Sequence, residues 1–205
     1  MVKTVVFDIG NVLVRWDPRF LLRKVLADEA DIERFLATAC SADWLREVDA
    51  GSLSPAIPAR VADYPHYEAA LRAFDERWME TLGGAIAENV ALFRRLKEAG
   101  RPVYGISNYA TDKFEQSRPA FPFYDWFDGL IVSGREGVAK PDPAIFRLLL
   151  DRYGLDPGAL LFIDDSLPNV ETARGLGIET IHYGPGVDLA VEFERRGVFA
   201  PAAGR

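Results

Sequence analysis

Four polar positions stand at the ends of short apolar runs. Asp8 follows the run at residues 3–7, Ser107-Asn108 the run at 102–106, and Asp164-Asp165 the run at 159–163. Lys140 comes after the run at 129–132, in Lys140-Pro141-Asp142-Pro143. Each alone has a plain structural reading. An Asp after a strand commonly caps a helix, Ser-Asn commonly makes a turn, and a lone Lys is commonly solvated. Asp164-Asp165 is the stronger signal, because adjacent carboxylates repel and one would suffice for a cap. Brought together, these positions would put three carboxylates, a hydroxyl and an ammonium in one cleft. Carboxylates crowd where a hard cation neutralises them, and Mg2+ takes one or two of them plus waters and substrate phosphate. Ser107 and Lys140 would hold the remaining phosphate oxygens. An Asp facing the phosphorus could attack it and form an aspartyl-phosphate. The chemistry implied is Mg2+-assisted phosphoryl transfer.

Such convergence requires strands that end side by side. Residues 3–9 form a β-branched, nearly continuous apolar run broken by Gly10-Asn11, as in a buried parallel strand. Asp17-Pro18 predicts a helix N-cap and first turn. From there to about Leu82 the pattern is helical with no convincing long strand. Leu71, Phe74, Trp78 and Leu82 repeat at helical spacing and are expected to be packing alone. After Gly83-Gly84 the rhythm alternates. A helix over about 86–96 ends at Gly100 and strands follow near 102–106, 129–132, 159–163 and 178–182. Helices lie between them, two of them at 143–153 and 167–175. The expected fold is α/β, a Rossmann-like parallel sheet core with helices on both faces and an inserted helical domain. Residues 1–15 and 84–205 would form the core and 16–83 the insertion. Ligands in such sheets bind beyond the carboxyl ends of the strands. The tail after Pro185 is expected to end loosely.

Composition excludes several classes. The chain has 205 residues, 49% of them hydrophobic and 27% charged, which is ordinary for one globular core with an insertion. The net charge of −7 argues against nucleic acid as a partner. No apolar run approaches the ~18 residues of a membrane span, and the first one stops at Asp8, too soon for a signal peptide. Cys40 is the single cysteine and cannot form an internal disulfide, so a reducing, cytoplasmic setting is expected and Cys40 reads as a small buried apolar residue. Monomer and homodimer both stay open.

Phe7-Asp8-Ile9-Gly10-Asn11-Val12, Ser107-Asn108, Lys140-Pro141-Asp142-Pro143 and Ile163-Asp164-Asp165-Ser166 with Asn169 resemble the four ordered motifs of the haloacid dehalogenase-like hydrolases. The helical insertion is similar to that family's cap, and the resemblance covers nearly the whole chain. It implies Asp8 as nucleophile and Ser107, Asn108 and Lys140 as substrate-binding, with Lys140 steadying nucleophile and phosphate together. It implies Mg2+ held by Asp8, the Gly10 backbone carbonyl, Asp164 and Asp165, with Asn169 in support. The substrate implied is a small phosphorylated metabolite.

One position departs from the family pattern. Its phosphatases usually read Asp-x-Asp, the second Asp being general acid and then base, and here that residue is Gly10. The form Asp-x-Gly-Asn-Val is similar to the branch that includes α-D-glucose-1-phosphate phosphatases, whose sugar 1-phosphate leaving group needs less acid help. Asp17 is a candidate substitute, with helix capping the plainer role. Trp16, Trp44 and Tyr109 could line a sugar pocket but are better read as packing, and His66 and His182 make no metal site or triad. The alternatives are a 2-haloacid dehalogenase, which needs no leaving-group acid but also no metal, and a phosphometabolite-binding protein with weakened turnover. The insertion is expected to open and close over the strand ends, with joints near residues 10–15 and at Gly83-Gly84.

Overall fold

The computed structural model describes residues 3–199. The first apolar run forms β1 (Thr4–Phe7), and β2 (Val14–Trp16) follows a tight loop. Five helices come next: α1 (Arg19–Leu22), α2 (Glu29–Ala37), α3 (Ala42–Asp49), α4 (Ile57–Asp63) and α5 (Glu68–Glu76). The chain then alternates through β3 (Leu82–Ala85), α6 (Ala87–Glu98), β4 (Val103–Ser107), α7 (Thr111–Ser117), β5 (Gly129–Val132), α8 (Ser133–Glu136) and α9 (Pro143–Tyr153). It closes with β6 (Leu160–Asp164), α10 (Leu167–Gly175), β7 (Glu179–His182) and α11 (Leu189–Arg195).

Five strands make one parallel sheet in the order β5-β4-β1-β6-β7. Side chains alternate across it. On one face Val5 and Phe7 pack with Phe93 of α6 and Phe193 of α11, the Phe7 ring lying 5.5 Å from Phe93 and 6.3 Å from Phe193. On the other, Val6 and Phe162 pack with Ile145, Phe146 and Leu149 of α9 and Ala173 of α10. Burying side chains of this size contributes roughly 1.5–3 kcal/mol each. The sheet is therefore covered on both faces, as the continuous apolar runs require. Because β1 sits between β4 and β6, the ends carrying Asp8, Ser107 and Asp164 are neighbours.

Three expectations need correction. The base of the insertion is not purely helical, because β2 and β3 pair antiparallel, Val14 with Ala85 and Trp16 with Leu82. Segments this short carry too few residues to reveal a period of two, and Gly83-Gly84 hid the second. Glycine fits position 83 because a Cβ there would lie 2.7 Å from the Phe20 ring. The stripe Leu71, Phe74, Trp78, Leu82 is not one helix, since α5 stops at Glu76, Trp78 lies on a 3-10 turn and Leu82 opens β3. The helix after Asp17 starts one residue late, at Arg19, whose N–H donates to Asp17 Oδ1 at 2.9 Å. The tail after Pro185 carries α11, where Asp188 accepts from Ala190 and Val191 N–H and Phe193 and Val198 join the core, while its expected loose end lies outside the described residues. Cys40 is free and buried, as expected, and burial pushes its thiol up.

Candidate active site

Lys140 organises the strand ends. It is 1% exposed, and its Nζ donates to Asp164 Oδ2 at 2.7 Å, to Asp8 Oδ1 at 2.9 Å and to the Ile106 carbonyl at 2.9 Å. An ammonium has three hydrogens, so all of them are spent. Burial alone would lower its pKa, but the Asp164 and Asp8 carboxylates outweigh that and hold it above the usual lysine value. The Lys140 backbone is clamped in turn. Asn108 Oδ1 accepts from Lys140 N at 2.7 Å, and Asn108 Nδ2 donates to Lys140 O at 2.8 Å. Asn108 thus places the lysine, while its side of the loop also reaches the cavity.

Asp8 is 6% exposed just past β1. Its Oδ1 also accepts from Ile9 N at 2.7 Å, and among the described residues no donor reaches Oδ2. Burial pushes its carboxyl up to about 7; Lys140 pulls it down, while the charges of Asp164 and Asp165 raise it further. Asp164 is fully buried and fully engaged: Oδ1 accepts from Ser166 N and Asn169 Nδ2, and Oδ2 from Lys140 and Asn169. Asp165 is freer. Its Oδ2 accepts from Asn11 Nδ2 at 3.2 Å, and burial, then Asp164, raises its pKa. One oxygen each of Asp8, Asp164 and Asp165 lies within 4.8 Å of the others, a hard-oxygen donor set that fits a divalent cation. Ser107 ends β4, 1% exposed, and is not among the cavity-lining residues.

Above this cluster is a cavity of about 370 Å3. Three of its residues have roles that the sequence did not disclose. Asn11 sits at φ 52°, a left-handed conformation that asparagine tolerates, and joins Asp165 to the insertion by accepting from Trp16 N at 2.9 Å. Trp78 lines the cavity instead of only packing. Asp49, the last residue of α3, faces it too, and burial pushes its carboxyl up to about 7, against the pull of the Ala110 N–H and Lys140. Of the aromatics considered, Trp16 and Tyr109 line the cavity and Trp44 does not. Gly10 leaves open space, with nothing within 4 Å of where its Cβ would be. Asp17 does not line the cavity; it stands one residue ahead of the α1 cap, accepts from Arg19 N and pairs with the Arg19 side chain at 3.5 Å. His182 serves structure, its Nε2 lying 2.9 Å from the Asp165 carbonyl.

A carboxylate after β1, Ser107-Asn108 at the end of β4, a lysine bound to that carboxylate and an acidic pair at the end of β6 follow the order of the four motifs. The haloacid dehalogenase-like hydrolase family model matches residues 2–177. The chain belongs to this family. Among relatives of this hydrolase, a sesquiterpene phosphatase from Aspergillus oryzae is 27% identical over 88% of this chain and 89% of its own length. A D-ribitol-5-phosphate phosphatase from Bacteroides thetaiotaomicron is 26% identical over 94% of this chain and 97% of its own. A crystal structure of a family enzyme from the latter organism, in complex with magnesium and inorganic phosphate, superimposes with a TM-score of 0.74. It is 24% identical and the match spans 94% of this hydrolase and all of that chain, a likeness of fold. No helix of this hydrolase among the described residues is long and apolar enough to cross a membrane.

Proposed function

We propose that this hydrolase is a Mg2+-dependent phosphatase that cleaves a phosphate monoester of a small metabolite through an aspartyl-phosphate on Asp8. The observation that carries this reading is the buried Lys140, which joins Asp8 to Asp164 within a trio of carboxylates. A dehalogenase needs the nucleophile but has no use for the acidic trio. Asp8, Asp165 and the Gly10 carbonyl would hold Mg2+, with Asp164 behind them anchored by Lys140 and Asn169. Bound there, Mg2+ supplies the positive charge that lets an anionic phosphate approach carboxylates.

Asp8 Oδ2, free of other bonds, attacks phosphorus while Lys140 fixes Oδ1. As the Asp8–P bond forms, the bond from phosphorus to the leaving oxygen breaks, and that oxygen takes a proton from Asp49. Water then attacks phosphorus, the Asp8–P bond breaks, and the water proton returns to Asp49. Asn108 positions Lys140, whose three hydrogens are already committed, so Lys140 acts on the phosphate chiefly by charge. Ser107 is the candidate hydroxyl for a phosphate oxygen once substrate displaces the cavity floor. Closure of the insertion, residues 16–83, would exclude water from the phosphoenzyme. The Gly10 form of the first motif makes a sugar 1-phosphate one candidate substrate, because its leaving group needs little acid help.

Phosphate release from a panel of monoesters, with Mg2+ and with chelator, tests the reading. Wild-type protein should turn over only with Mg2+, and Asp8→Asn should lose essentially all activity while keeping the fold. Near-normal release by the Asn variant, or full activity in chelator, would overturn it. Chloride release from chloroacetate would instead establish the dehalogenase.

A further inference from the structure

The two halves of the cavity differ in chemistry. Its floor, from the strand-end loops, carries Asp8, Asn108, Lys140, Asp165 and Asn169. Its wall from the insertion is made by Trp16, Ala42, Leu45, Trp78 and Leu82. Two charged side chains interrupt that wall. Arg46 stands at the exposed edge of the wall, its charge paired with Asp43 at 3.0 Å, and Asp49 is the carboxylate assigned to proton transfer. The polar tips of the aromatics offer little more. The Tyr109 hydroxyl is held by Ser117 Oγ at 3.0 Å and accepts from Trp78 Nε1 at 3.5 Å. Trp16 Nε1 is buried and has no partner among the described residues.

A polyol placed here would press several hydroxyls against indole and aliphatic carbon. Each hydroxyl stripped of water without a replacement partner weakens binding. An apolar group in the same place removes its own surface and that of the wall from water. The cavity volume, about 370 Å3, is at the small end for ligand sites, which argues against a long lipid chain.

We infer that the insertion-side wall is a binding slot for a small apolar alcohol, so that the substrate is an aryl-alkyl or short alkyl monophosphate instead of a sugar phosphate. This rests on the phosphatase reading and narrows it. The apolar alcohol lies along Trp16, Leu45 and Trp78, with its phosphate on the floor.

Leaving-group acidity must be matched for a fair test, so primary alkoxides are compared. Full-length protein with Mg2+ is assayed for kcat/KM on benzyl phosphate, hexyl phosphate, glucose 6-phosphate and glycerol phosphate. The first two should exceed the last two by about tenfold or more, the scale on which an apolar pocket discriminates. Leu45→Gln, at a half-buried position, should narrow that gap by raising KM for the apolar esters alone. Sugar esters turned over as well as benzyl phosphate, or a gap that Leu45→Gln leaves intact, would overturn the slot. Release from no ester at all would sink the phosphatase reading instead. Calorimetry then judges the slot separately. Benzylphosphonate binding more tightly than the phosphonate analogue of glucose 6-phosphate supports it, and equal or weaker binding refutes it.

Discussion

Lys140 and Asp49 illustrate two fates of an ionisable group withdrawn from water. Lys140 meets two carboxylates and a carbonyl, so its desolvation is offset by strong, short bonds. Removing either partner of such a pair typically costs about 3–5 kcal/mol, which ties the site's geometry to the stability of the fold. Among the described residues no cation is bonded to Asp49; one backbone N–H and the charge of Lys140 oppose the loss of water, and its carboxyl is pushed up to about 7. A group that is part acid and part base near neutrality suits proton transfer in both halves of the reaction. Asp17, the substitute the sequence suggested, is occupied by its helix. Asp49→Asn should therefore lower kcat about 10²-fold or more for benzyl phosphate. It should barely change kcat for p-nitrophenyl phosphate, whose leaving group needs no proton. Rates measured at saturation across pH should also lose their break near neutrality. Equal losses on both esters would refute the acid role.

The short loop between β1 and β2 does more than reverse the chain. Its Asn11 donates to Asp165 and accepts from Trp16 N, so one amide couples the proposed metal site to the first strand of the insertion. The left-handed backbone at Asn11 separates two effects of substitution. Asn11→Gly keeps the backbone comfortable and deletes the amide, while Asn11→Ala deletes the amide and strains the backbone. Both should raise the Mg2+ concentration for half-maximal activity, by about 10-fold or more, as loss of a residue that orients a metal ligand commonly does. Asn11→Ala should also be less stable than Asn11→Gly by roughly 1 kcal/mol. Mg2+ titration and denaturant unfolding read the two effects separately. An unchanged Mg2+ requirement in both variants would detach Asn11 from the metal site. At this scale the long helices and central strands were legible because their periods persist. The pairing of β2 with β3 was not, since three or four residues form it from chain 66 positions apart, counting Trp16 to Leu82.

For the molecule as a whole, polar contacts outside the cavity lining fasten the insertion to the core. Lys113 Nζ, buried, pairs with Asp75 at 2.6 Å, and Asp112 accepts from Leu53 N and Ser54 N at 2.9 Å. The acidic cluster works against this stability when no cation is present. Asp8 and Asp165 have folded pKa values raised above their unfolded ones. The native state then holds protons that the unfolded chain has released, so stability falls as pH rises from the unfolded value near 4 to the folded value of Asp8, about 7. A divalent cation offsets the repulsion between the ionised carboxylates. Mg2+ should accordingly raise Tm more at pH 8 than at pH 5, by calorimetry at fixed ionic strength. An equal or smaller rise at pH 8 would contradict the assignment of these carboxylates to the metal.

Asp8, Lys140 and Asp164-Asp165 were legible because they follow apolar runs in a βαβ pattern, and a parallel sheet brings the carboxyl ends of its strands to one edge. Local sequence determines where each strand ends, so those residues, the fold class and the hydrolase family could be read before any coordinates. Asp49, Trp78 and the apolar wall were decided by tertiary structure alone. Asp49 ends an amphipathic helix in a segment rich in acids, and among the chain's 31 acidic residues nothing local marks it. Asp17 lies nearer to Asp8 in sequence yet turns to its own helix. A side chain's desolvation depends on which distant surface folds over it, and here the insertion, returning to the core only at β3, determines what covers the strand ends.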